Sequence, residues 1–240
     1  MSERRRGQAG ERGLMRILLL GHGRMGQLVE SLAASYGATI AGVIDERSGD
    51  RAIADGNYGA VDVAIDFTLA DAVVRNLPQL AGRKINVVIG TTGWQAQEAA
   101  MRAIAGKAGI GVLAAANFSL GMNVFQLAVE EASRHFAKHE EFGAWIHESH
   151  HAMKKDAPSG TALSLKRGIE QAGYLRPIDV SSSRVGSVPG THTVGFDGPS
   201  ETIEFTHTVR DRAVFAQGAL TAAQWLVGKQ GWFSIRDLLS

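Results

Sequence analysis

The densest run of reactive side chains is Glu148-Ser149-His150-His151-Ala152-Met153-Lys154-Lys155-Asp156-Ala157-Pro158-Ser159-Gly160-Thr161. An imidazole can donate or accept a proton near neutral pH, and a lysine can hold a carboxylate or donate a proton itself. Pro158 opens a helical pattern, so the backbone N–H groups of Ser159, Gly160 and Thr161 fall in its first turn. There they lack intrahelical partners and point at an anion. Protonation beside a carboxylate site is half of what a reductase of an unsaturated acid needs.

The other half, a hydride source, is signalled by Gly21-His22-Gly23-Arg24-Met25-Gly26. This G-x-G-x-x-G lies between an expected strand and an expected helix, the context in which glycines allow a tight turn and close approach to a pyrophosphate. Asp45 ends the next strand, where a ribose-binding acid belongs. Two carboxylates there, Asp45 and Glu46, face one arginine, Arg47. Like charges repel a 2′-phosphate in a partly desolvated pocket, so NADH is expected to be preferred and NADPH still usable.

A competing motif overlaps the first run. His147-Glu148-Ser149-His150-His151 matches H-E-x-x-H, which binds zinc only when a helix puts both imidazoles on one face. Ala144-Trp145-Ile146 reads instead as a strand, and Gly143 gives no helical support, so no metal is expected.

The elements that must position these groups alternate. Strands are expected at Ile17–Leu20, Thr39–Ile44, Val61–Phe67, Ile85–Ile89 and Gly111–Ala115, with helices at Arg24–Ser35, Ala70–Leu80 and Gln95–Ala108. Such alternation makes an α/β Rossmann-type parallel sheet. After Asn117 the rhythm changes to helices at Val124–Ala137 and Ser159–Ala172 and strands at Ala144–His147, Val180–Val185, Thr191–Phe196 and Glu201–Val209. Ile203, Phe205 and His207 alternate with Glu204, Thr206 and Thr208, which suits antiparallel pairing with one wet face. A last apolar helix, Phe215–Val227, is expected to rejoin the first domain. The organisation is therefore a disordered leader over 1–14, with Met15 as an older start, a dinucleotide-binding domain over 15–118 and 211–240, and an inserted α+β substrate-binding and oligomerisation domain with an open mixed sheet over 119–210.

Composition excludes other classes. Of 240 residues 45% are hydrophobic and 20% charged, enough apolar content for a packed core rather than disorder. No apolar run approaches the ~18–20 residues of a membrane helix. Net charge is +1, and Arg4, Arg5, Arg6 and Arg12 against Glu3 and Glu11 place +2 in the first fourteen residues. The remainder at −1 has no bulk charge for nucleic acid or anionic lipid. Without cysteine there is no disulfide, thiolate nucleophile or cysteine metal site, which suits a reducing cytoplasm.

With both motifs in hand, the chain resembles the dihydrodipicolinate reductase family from about Leu18 to Leu238. The core of the resemblance is the E-[AS]-H-H-x-x-K-x-D-A-P-S-G-T-A signature at Glu148–Ala162. Asp66-Phe67-Thr68, Gly90-Thr91-Thr92-Gly93, Ala115-Ala116-Asn117-Phe118-Ser119, Arg184-Val185-Gly186 and Pro189-Gly190-Thr191-His192 support it. The resemblance implies NAD(P)H-dependent reduction of a cyclic dicarboxylate, 4-hydroxy-tetrahydrodipicolinate, in the diaminopimelate route to lysine, usually by a homotetramer. It implies His150 as proton donor and acceptor and Lys154 as second proton donor. His151, Gly160 and Thr161 would hold carboxylates, while Gly90, Thr91, Thr92, Ala115, Ala116, Asn117 and Phe118 would line the nicotinamide side. The chain departs from the family in its Gly-His-Gly loop, in its short segments at Ser48–Gly59 and after Phe196, and in Glu46, where some members carry arginine. Two alternatives remain: another NAD(P)-dependent amino-acid dehydrogenase, needing no Ser-Gly-Thr site, and a non-catalytic dinucleotide-binding protein, needing neither His150 nor Lys154.

Overall fold

The computed structural model describes residues 13–240. The expected leader lies outside them except for Gly13 and Leu14. The chain divides into two units, one comprising the residues up to Phe118 together with Phe215–Ser240, the other Ser119–Val214.

In the first unit β1 (Met15–Leu20), β2 (Ala38–Ile44), β3 (Val63–Asp66), β4 (Asn86–Ile89), β5 (Gly111–Ala114) and β10 (Gly231–Phe233) form one sheet in the order β10-β5-β4-β3-β1-β2. Every pairing is parallel. Ile17, Leu18, Leu19 and Leu20 are fully buried, as a central parallel strand covered on both faces requires. Helix α1 (Arg24–Ala33) connects β1 to β2 on one side, and the chain then returns to place β3 on the other side of β1. That reversal leaves a crevice beyond the carboxyl ends of the strands. Helices α3 (Ala70–Gly82) and α4 (Glu98–Ala108) follow β3 and β4. Three elements escape the periodicity argument because they are too short to show a period: β10 and the helices α2 (Ala52–Asp55) and α8 (Ile235–Leu239); the helix expected from Gln95 opens with a 3₁₀ turn over Gln95–Gln97.

The second unit carries a four-stranded sheet, ordered β7-β6-β8-β9, from β6 (Gly143–His150), β7 (Ile178–Arg184), β8 (Thr191–Asp197) and β9 (Thr202–Thr208). β8 pairs antiparallel with both β6 and β9, as the alternation implies, whereas β7 pairs parallel with β6. Helices α5 (Leu120–Phe136) and α6 (Gly160–Gln171) supply Phe125, Val129, Leu165 and Ile169 to a core shared with Ile146, Val194 and Phe196. The opposite sheet face is rich in hydroxyls: Thr191 meets Thr208 at 3.2 Å, Thr193 meets Thr206 at 3.1 Å, and His147 meets Ser181 at 2.9 Å. α7 (Ala213–Leu226) leads out of this unit, and Gly218 allows its close approach to the Phe118 carbonyl oxygen, which a Cβ would meet at 1.7 Å.

Candidate active site

β6 runs three residues further than its apolar stretch predicts, and that extension organises the second unit's chemistry. On a strand, residues two apart share a face, so Glu148 and His150 both point inward with Ile146. Register completes the cluster: His150 lies opposite Arg184 on β7, and Glu148 opposite His192 on β8.

The Glu148 side chain is fully buried and hydrogen-bonded at both oxygens. Oε1 accepts from Arg184 Nη2 at 2.7 Å and from the Ser159 backbone N–H at 3.2 Å. Oε2 accepts from Arg184 Nη1 at 3.1 Å and bonds closely with His150 Nδ1. Burial alone would raise this carboxyl, but the hydrogen bonds from Arg184, Ser182 and His150 outweigh it and hold the pKa down to about 2. A carboxylate so fixed can accept an Nδ1–H from His150 and leave Nε2 available for a proton, the orienting arrangement that carboxylates give to working histidines. Gly190 keeps that side of the ring clear, since a Cβ there would stand 3.1 Å from His150 Nε2.

His192 packs edge-to-face on His150, with ring centroids 5.1 Å apart. Its Nε2 bonds with Ser159 Oγ at 3.1 Å, and its buried Nδ1 has no partner. Burial first, then the neighbouring His150, push its pKa down to about 4, so it is neutral at pH 7. Glu148, His150 and His192 each offer a ligand atom within 4.8 Å of the others, but Arg184 already neutralises the carboxylate.

The H-E-x-x-H residues lie on or just past a strand, which removes the shared helical face that zinc ligation requires. His147 turns to the other sheet face, among Ser149, Ser181 and Ser183.

Ser159 caps α6 with its hydroxyl, accepting from the Ala162 N–H at 3.2 Å. The expectation of a free Ser159 N–H is corrected, because Glu148 takes it. Gly160 and Thr161 remain at the helix start, and a Cβ on Gly160 would meet nothing within 4 Å. Lys154 does not stand free: its Nζ bonds both oxygens of Asp156, at 2.7 and 2.9 Å. His151 is half-buried just after β6.

In the first unit the crevice beyond β1, β2 and β3 encloses about 640 Å³ and is lined by Gly21, His22, Gly23, Asp45, Glu46 and Arg47, with Thr68, Leu69 and Arg75 from the next loop and helix among others. The glycines are required by geometry. Gly21 has φ +86°, and a Cβ there would stand 2.4 Å from the Phe67 carbonyl oxygen; one at Gly26 would stand 2.0 Å from that of Gly21. Gly23, the N-cap of α1, has open space and no capping side chain, so the first N–H groups of the helix are available to a phosphate. The residues thus fit a dinucleotide.

Arg24 is exposed and Met25 half-buried, and neither side chain lines the crevice. His22 is drawn to Glu30, with Nε2 2.7 Å from its carboxylate. Asp45 Oδ1 accepts from the Arg47 N–H at 2.9 Å, pinning the acid at the crevice rim.

A second hollow, about 200 Å³, is lined by Thr91, Ala115, Ala116, Trp94 and Trp232 among others. Of the remaining residues assigned to the nicotinamide side, Thr92 is exposed and Asn117 half-buried. Gly90 and Phe118 are closely packed against Phe67. A Cβ on Gly90 would strike the Phe67 ring, and Phe118 is buried edge-on against Phe67 with centroids 6.1 Å apart.

Sequence reasoning quoted Glu148, Asp156, Arg184 and His192 without giving any of them a role. Glu148 was within reach, since continuing the strand period through His150 puts it on the same face. Arg184 and His192 depend on which strands pair. Asp66 likewise is quoted without a role; it is buried, and its Oδ1 accepts from Thr68 N–H at 3.0 Å and Thr91 Oγ1 at 3.0 Å, tying the loop after β3 to the loop after β4.

Comparison with known proteins agrees in both halves. Residues 15–118 match the family model described as dihydrodipicolinate reductase, N-terminus, and residues 121–239 match the C-terminus of the same family. The 4-hydroxy-tetrahydrodipicolinate reductase of Christiangramia forsetii is 38% identical over 237 residues, covering 94% of this chain and 98% of its own. That of Stenotrophomonas maltophilia is 39% identical over 243 residues, again covering 94% and 98%. Among solved structures, the dipicolinate-bound dihydrodipicolinate reductase from Paenisporosarcina sp. TG-14 aligns with a TM-score of 0.78 at 21% identity, covering 92% of this chain and 97% of that one, a likeness of fold.

Proposed function

The chain belongs to the dihydrodipicolinate reductase family of NAD(P)H-dependent oxidoreductases, and on that premise we propose how its own residues divide the reduction of 4-hydroxy-tetrahydrodipicolinate to tetrahydrodipicolinate, in the diaminopimelate route to lysine. When bound, NAD(P)H supplies the hydride. In the first unit, backbone N–H groups at Gly23–Gly26 hold the pyrophosphate, Asp45 the ribose, and Thr91, Ala115 and Ala116 border the nicotinamide side. In the second unit, His150 exchanges the proton at Nε2 while Glu148 keeps Nδ1 protonated. Lys154 carries the second proton and a positive charge for a carboxylate. His151 and the N–H groups of Gly160 and Thr161 hold the remaining carboxylate oxygens, and Ser159 fixes the start of α6. The observation that carries this reading is the buried Glu148 carboxylate that orients His150.

NADH is the preferred cofactor in this reading. Asp45 and Glu46 disfavour a 2′-phosphate. Arg75, which the sequence reading did not weigh, lines the same crevice as Arg47, so the preference is modest and NADPH remains usable.

The open hydroxyl-rich sheet face of the second unit supports a homotetramer, in which copies of the sheet cover one another. Among the described residues no helix is long and apolar enough to cross a membrane. A cytoplasmic location follows from the need for a reduced dinucleotide pool.

The test is a coupled assay with freshly made substrate, following NADH and NADPH loss separately. Turnover with both, and a higher kcat/KM with NADH, is expected. Absence of turnover with either cofactor contradicts the reading.

A further inference from the structure

One group assigned above to a substrate carboxylate, the Lys154 ammonium, is held in this chain by a carboxylate of its own. Lys154 Nζ holds both oxygens of Asp156, at 2.7 and 2.9 Å. The Asp156 carboxyl is held below its ordinary value chiefly by Lys154, with its own N–H and that of Gly160 adding to the effect against slight desolvation. Beside it the start of α6 is open, since nothing lies within 4 Å of a Cβ placed on Gly160.

We propose that Asp156 is an internal stand-in for the substrate's carboxylate, holding the Lys154 ammonium in position until the substrate's own carboxylate replaces it. The proposal rests on the reading of Lys154 as a substrate contact. The exchange is one carboxylate for another, so the ammonium keeps a counter-ion throughout and the displaced Asp156 carboxylate turns to water. It is also cheap. The Asp156 side chain is 57% exposed and that of Lys154 23%, and an ion pair so open to water is strongly screened and adds little stability. The arrangement selects as well as positions. A ring bearing a carboxylate at this point can displace Asp156, while a ring without one leaves the Lys154–Asp156 pair closed.

Among the alternatives, the Glu148–His150–His192 group belongs to the catalytic arrangement already described. The half-buried His207 packs on Phe125 of α5, with centroids 5.9 Å apart. Neither points to a ligand of its own.

The test measures dipicolinate binding by calorimetry to the whole protein saturated with NADH, comparing wild type, Asp156→Asn, Lys154→Ala and the double variant. Removing the internal competitor should tighten dipicolinate about two- to five-fold, the range an exposed ion pair can supply. Asp156→Ser should do the same if the Asn variant folds poorly. Lys154→Ala should weaken binding, and in that background Asp156→Asn should change nothing, because the gain comes from freeing Lys154 rather than from one less negative charge nearby. Unchanged or weaker binding in Asp156→Asn and Asp156→Ser, or a gain that persists without Lys154, overturns the proposal. If Lys154→Ala binds dipicolinate as wild type does, the reading of Lys154 itself fails instead.

Discussion

The crevice of the first unit and the proton site of the second are built on opposite plans. The crevice is built to hold a ligand with backbone: Gly21, Gly23 and Gly26 clear space, and the start of α1 presents its N–H groups. The proton site works with side chains brought from three strands and a helix start: Glu148 and His150 on β6, Arg184 on β7, His192 on β8, Ser159 at α6. A backbone site is specified by a few adjacent residues and fails when any one gains a side chain. A side-chain network is specified by register and fails when a buried charge loses its partner.

The largest effect should separate the plans at once. Gly26→Val places carbon against the Gly21 carbonyl oxygen, where even a Cβ would stand 2.0 Å away. Overpacking of this kind costs ~1–3 kcal/mol or more and must move the phosphate loop. NADH binding, measured by fluorescence titration, should be lost, while dipicolinate affinity of the folded fraction changes only through the missing cofactor. Retained NADH affinity would show that the loop is not glycine-specified.

Glu148→Gln sharpens the comparison from the other side. Removing the charge leaves the half-buried Arg184 without its counter-ion, a loss of at most about 3–5 kcal/mol, the figure for a fully buried pair. It also frees the His150 tautomer, and loss of an orienting partner typically costs ~10–100-fold in activity. Thermal denaturation should show the first and kcat the second, with NADH affinity unchanged.

Acid should find the second unit first. His192 titrates near 4 in the folded chain against an ordinary 6.5, so between those values the unfolded chain binds a proton that the folded chain does not. Stability therefore rises with pH through that window and is lost as pH falls through it, by roughly 3 kcal/mol at most. Burial lowers His207 too, with the same sign. Glu148 extends the loss below, from its ordinary 4.5 toward about 2. Urea denaturation at pH 7 and pH 4.5 should show the weakening, and His192→Gln should flatten it. A parallel decline in wild type and variant would remove His192 from the account.

The smallest effect concerns Glu46, exposed at the crevice rim. Glu46→Arg should shift kcat/KM toward NADPH by several-fold, the scale of one partly screened charge. No shift would mean that Arg47 or Arg75 alone faces the ribose.

The same contrast explains what could be read before the structure. The phosphate loop was legible because strand, turn and helix are contiguous, and every long element was visible in its period. β10 is three residues long and α2 four, too short for any period. At Ser159 the sequence shows only a helix start with a free N–H, while the acid that takes that N–H stands eleven residues earlier on a strand. Arg184 and His192 looked like ordinary strand residues because their roles come from pairing, and β7 pairs parallel with β6, which its sequence does not reveal.

The most direct test of the division is His150→Gln, with turnover and NADH binding measured on the same preparation. The variant keeps the first unit's loop intact and removes the group to which proton exchange is assigned above. Turnover should fall ~100-fold or more, the usual scale for a general acid–base group, with NADH affinity within about two-fold of wild type. Turnover near wild type, or NADH binding lost along with it, would contradict the assignment of binding to one unit and proton transfer to the other.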